Sequence, residues 1–63
     1  MLIIRMKQMA SKPIGTRAKT GEICPESGIW RPEGHSTTAP IAKSNRMPPY
    51  KGAAVTWVLI QLA

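Results

Sequence analysis

Six prolines and five glycines are spread between Pro13 and Gly52, and they decide what this 63-residue chain can become. Proline removes a backbone donor and its ring clashes with the preceding helical turn, so no long helix can run before residue 53. Short strands between turns are the alternative. Pro25-Glu26-Ser27-Gly28 fits a type I or type II turn, with proline presetting φ and glycine closing it. Ile29 to Arg31 then reads as a strand, Pro32-Glu33-Gly34 as a second turn, and His35 to Ala39 as the antiparallel return. The predicted fold class is all-β: a small antiparallel β-barrel or meander with Pro/Gly-rich turns.

The strongest strand signal lies in the residues after Gly52. Val55, Thr56, Trp57, Val58 and Ile60 are β-branched or aromatic types that suit a pleated surface. Alternation puts Ala53, Val55, Trp57, Leu59 and Gln61 on one face and Ala54, Thr56, Val58, Ile60 and Leu62 on the other. Both faces are apolar, which predicts a strand central in a packed sheet or paired across an oligomer. The expected core is Trp30, Val55, Trp57 and Leu59. At the other end, Leu2 to Met9 could form a half-buried strand, although a basic segment with few contacts is disordered by default. Residues 1–15 are therefore read as a basic N-terminal arm and 16–63 as a single β domain.

A chain this short buries only about 60% of the surface it exposes when unfolded, and a lone core of this size rarely supplies more than about 3 to 5 kcal/mol. Cys24 is the only cysteine, so an internal disulfide is ruled out. One Cys, one His and three Glu, with no Asp, are too few for a closed zinc site. No cofactor is expected. Association with a protein partner or a second copy is the remaining support, and strand addition through residues 53–62 is the simplest route to a homodimer.

Nine Lys or Arg against three Glu give a formal charge of +6. The charge suits acidic partners, and nucleic acid is the alternative to protein. No segment reaches the about 20 apolar residues of a helical membrane span. The apolar run Leu2-Ile3-Ile4 falls short of the about 7 to 15 residues of a secretory signal, so a cytoplasmic location is expected.

The residues for chemistry are sparse. Cys24 and His35 are the only nucleophile and base candidates, and the chain has no Asp and a single Asn, Asn45, to orient them. Cys24 before Pro25 reads as a structural thiol. Glu22, Glu26 and Glu33 read as charges balancing nearby Lys or Arg, and no glycine-rich loop leads into a helix to cradle phosphate. No catalytic residue is assigned and the chain is read as non-enzymatic. The candidate binding surface is Arg31, His35, Arg46, Tyr50 and Lys51, where basic groups and an aromatic could meet a partner or stack on bases.

Thr20-Gly21-Glu22-Ile23-Cys24-Pro25-Glu26-Ser27-Gly28-Ile29-Trp30, followed by Met47-Pro48 and Val55-Thr56-Trp57, resembles a pattern in short bacterial β domains linked to type VI secretion and interbacterial toxin or immunity systems. Those domains carry acidic or aromatic residues between the positions of Trp30 and Met47, where this chain has Ser, Thr, Ala and Pro. The resemblance implies a compact adaptor or interaction module. It assigns Gly21 and Gly28 to turns, Pro25 and Pro48 to chain direction, and Trp30 and Trp57 to the core.

Overall fold

The computed structural model describes residues 12–63. Four strands form one antiparallel sheet: β1 (Arg17–Lys19), β2 (Gly28–Pro32), β3 (Ala39–Ile41) and β4 (Thr56–Leu62), in the order β1-β4-β2-β3. No helix occurs among the described residues, as the spacing of prolines and glycines dictates. The sheet is open, so of the two expected forms the barrel is not the one adopted. The expected strand at Leu2 to Met9 lies outside the described residues. Of the expected arm, residues 12–15 are described, and the Gly15 N–H donates to Leu59 O at 2.8 Å.

The last strand in sequence is interior in space. Arg17, Ala18 and Lys19 pair with Val58, Trp57 and Thr56, while Arg31 and Pro32 on the other side pair with Val58 and Trp57. This placement alters the expected association. Strand addition through residues 53–62 has no free backbone edge over Thr56 to Val58, because neighbouring strands occupy both sides.

One sheet face carries the core. Trp30, Leu59, Trp57 and Ala18 are buried there with Pro32, and Ile41, Met47 and Cys24 complete the cluster. The cover is not a second sheet but two irregular segments that pair with each other. Cys24 N donates to Asn45 O at 2.6 Å, Ser44 N to Cys24 O at 2.9 Å, and Met47 N to Glu22 O at 2.7 Å. Both indoles tie this layer to the sheet: Trp30 Nε1 donates to Glu26 O at 3.1 Å and Trp57 Nε1 to Pro48 O at 2.8 Å. A buried indole removes about 200 Å² from water, on the order of 5 kcal/mol as an upper figure, provided its N–H finds an acceptor. Val55, expected in the core, is half-buried and packs against it.

Two readings of the middle segment need correction. The return strand is Ala39–Ile41, and residues 35–38 form an exposed connector. The run His35-Ser36-Thr37-Thr38 offers no apolar residue to a core face, whereas Ile41 does and is buried. Gly28 is not the turn glycine: it opens β2 outside the left-handed region. Its lack of a side chain is needed for close approach, since a Cβ there would lie 2.3 Å from Gln61 O and 2.8 Å from Leu59 Cδ1. The pairing shifts register beside it, between Ile29 and Trp30, so Gly28 admits an irregular β4 backbone against the sheet.

Two substitutions test this account in thermal or denaturant unfolding. Trp57→Ala should cost about 3 to 5 kcal/mol and unfold the domain near room temperature. Gly28→Ala, a single added methyl, should cost about 2 to 4 kcal/mol because its obstacle is backbone. Parent-like melting of Gly28→Ala would mean that the approach of β4 to β2 is looser than described.

Candidate functional site

The five residues expected to form one binding surface do not meet. His35, Tyr50 and Lys51 come together: the two rings lie 4.7 Å apart at 53°, and Lys51 Nζ sits 5.5 Å from the Tyr50 ring centroid. The backbone explains the arrangement. Gly34 at φ +81° follows Glu33 in a turn closed by His35 N to Pro32 O at 3.1 Å, which carries His35 off the end of β2. Lys51 and Gly52 both have positive φ and Tyr50 and Ala53 exchange backbone hydrogen bonds, the signature of a type I′ turn. Tyr50 is itself half-buried against the core, so much of its ring is structural.

Arg31 and Arg46 lie apart from this trio. The Arg46 guanidinium donates to Gly21 O at 2.8 Å, fastening the cover layer beside the Ile23–Arg46 bridge. Arg31 is exposed on β2, on the face opposite the core, directly across from Val58.

That opposite face is the more extensive surface. Alternation on β1 buries Ala18 and turns Arg17 and Lys19 outward; on β2 it buries Trp30 and turns Ile29 and Arg31 outward. On β4, Thr56 and Val58 alternate with the buried Trp57 and Leu59 and stay half-exposed. Register then places Arg17, Val58 and Arg31 in one row across three strands. Glu33 reaches over β4 to Arg17, with Nε to Oε2 at 2.6 Å. The side chains of that pair are 64% and 48% exposed, so it is worth little as stability and serves mainly to fix where Arg17 lies. Arg17, Lys19, Ile29 and Val58 were missing from the expected surface. For Arg17 and Lys19 the signal is Arg-Ala-Lys, one small apolar residue between two cations, which has the pattern of a short strand with a charged outer face.

The remaining chemical candidates are also separated. Cys24 is 1% exposed, with Sγ 3.2 Å from Glu26 O and 3.8 Å from Ile41 O, while the His35 ring packs on Tyr50. Glu22 accepts from Lys19 N at 2.7 Å and Glu26 from Lys12 N at 3.1 Å, so two of the three carboxylates cap backbone rather than balance cations. Among the described residues no three of His, Cys, Asp and Glu gather as a metal site would require. A shallow depression of about 360 Å³ lies beside β3, lined by Ile29, Pro40, Ile41 and Asn45 among others. No helix of the described residues is long and apolar enough to cross a membrane. No protein-family model, curated protein or solved structure was found to match the chain.

The burial of Cys24 is directly measurable. A neutral-pH thiol reagent should label it only through unfolding, at least about a hundredfold more slowly than in denaturant. Rapid labelling of the folded chain would identify an accessible thiolate and restore it as a nucleophile candidate.

Proposed function

We propose that this chain is a small non-enzymatic protein-binding module that acts through the bare face of its sheet. The observation that carries the reading is the inequality of the two faces. One is sealed by residues 20–27 and 42–55, and the other leaves Val58 half-covered between Arg17 and Arg31, with Ile29 half-covered farther along β2. Apolar residues ringed by charge on an otherwise completed fold are what a docking surface requires. The resemblance to short domains linked to type VI secretion and toxin or immunity systems supports an adaptor role in such a system.

Nucleic acid is the second reading, favoured by the net charge of +6 and the His35, Tyr50, Lys51 cluster. Stacking platforms need free aromatic faces. Here both tryptophans are buried and Tyr50 is half-buried, which leaves the exposed His35 ring.

A photo-crosslinking amino acid at Val58, with a second variant at exposed Thr37 as control, separates the two in the producing cell. A discrete protein adduct from position 58 and none from position 37 is the expected result. Adducts to nucleic acid, or the same adducts from both positions, would overturn the protein-binding reading.

A further inference from the structure

We infer that the partner of the bare face is an acidic protein surface with an apolar centre; this rests on the protein-binding reading and gives it a chemistry. The face has a defined layout. Val58 lies at its middle with Arg17 and Arg31 as cross-strand neighbours on either side, Lys19 stands beside Thr56, and Ile29 extends the apolar strip along β2. Cross-strand neighbours sit about 5 Å apart, so a partner touching Val58 brings its own groups within reach of both guanidiniums. Arginine binds carboxylates through a planar fork of donors, and long basic side chains lay their aliphatic stems along apolar surface. Arg17 already holds a carboxylate, that of Glu33, through its Nε. Arg31 and Lys19 form no ion pair among the described residues, and they are the positions for an incoming acid.

The same layout argues against the other occupants. A second copy on this face would bring Arg17, Lys19 and Arg31 up to the same three cations with only one Glu33 carboxylate from each copy between them, and an excess of like charge at a closed interface is unfavourable. Nucleic acid would find aliphatic Val58 and Ile29 where bases need rings, with the Glu33 carboxylate among the phosphates. Pairing along the sheet edges is restricted as well. Pro40 stands in the middle of β3 without an N–H, and on β1 the Lys19 N–H is already taken by Glu22. The face, not the edge, is the docking element.

The test uses the full chain, isotope-labelled, with backbone amide shifts followed at about 150 mM salt. The probes are a peptide alternating glutamate with valine, the same peptide with lysine for glutamate, a single-stranded oligonucleotide and phosphatidylserine vesicles. The glutamate peptide should shift Arg17, Arg31 and Val58 and leave Lys43 and Lys51 in place, and the lysine peptide should shift nothing. Combined Lys19→Glu and Arg31→Glu should weaken that binding by about tenfold or more, whereas Glu33→Gln, which removes the resident competing acid, should strengthen it. Both changes are at exposed positions, and an unchanged far-UV spectrum confirms the fold; Arg31→Gln, expected to weaken binding less, supplies the same direction without charge reversal. Shifts confined to Lys43, Arg46 and Lys51, insensitivity to the charge reversal, tighter engagement of this face by oligonucleotide or vesicles, or self-association through it would each overturn the inference. A protein adduct from position 58 combined with no glutamate-peptide binding would reject the acidic chemistry alone and leave the protein-binding reading standing.

Discussion

Two hydrogen bonds from indole nitrogens hold the rest of the structure in place. Trp30 and Trp57 lie on adjacent strands of a sheet whose inner face has nothing regular to pack on, and each donates its N–H to a carbonyl of the irregular layer above, at Glu26 and Pro48. The same two rings therefore supply the apolar area and attach the cover that keeps it dry. Thr20 reinforces the second attachment, its Oγ1 lying 3.0 Å from Pro48 O and accepting from Val55 N at 2.9 Å. A fold of this size without disulfides depends on such double use, because a dedicated second layer would require more chain.

The strand content was legible where one residue type settled the matter. β-Branched and aromatic residues from Val55 to Ile60 announce β4, and Ile29-Trp30-Arg31 between turn signals announces β2, which the structure extends to Gly28–Pro32. The return strand was displaced because Pro40 in mid-strand argues against itself; it is tolerated because β3 is an edge strand and needs no donor on its open side. Gly28 was misassigned for a related reason. A glycine after proline and serine looks like turn chemistry, and only the spatial approach of Gln61 O reveals that space, not φ, is what it supplies.

The candidate surface was less legible than the fold. Exposed basic and aromatic residues were identifiable one by one, but their grouping depends on register, and no local pattern places Arg17 and Arg31 on either side of Val58. The run from Thr20 to Trp30, with Met47-Pro48 and Val55-Thr56-Trp57, behaves differently. Trp30, Trp57, Met47 and Cys24 are buried, Gly28 is required by close approach and Pro48 supplies an indole acceptor, so most of it encodes the inner face and its cover. Most of the outer face falls outside those residues. Most substitutions on the outer face should therefore leave the inner face and its cover unchanged.

The interior position of the final strand also governs how the molecule comes into being. β1 has no sheet neighbour other than β4, and β2 has only the three-residue β3 until β4 arrives. During synthesis the earlier segments thus leave the ribosome with only the short β2–β3 hairpin and the pairing of residues 22–24 with 44–47 open to them, and the face of β2 that carries Trp30 lacks its main neighbour. Sheet formation waits for residues 56–62 and then proceeds through pairings between distant parts of the sequence, a topology associated with slow assembly. The six prolines and the outward cations, by resisting helix and unwanted strand pairing in the incomplete chain, keep it available for the strand that completes it.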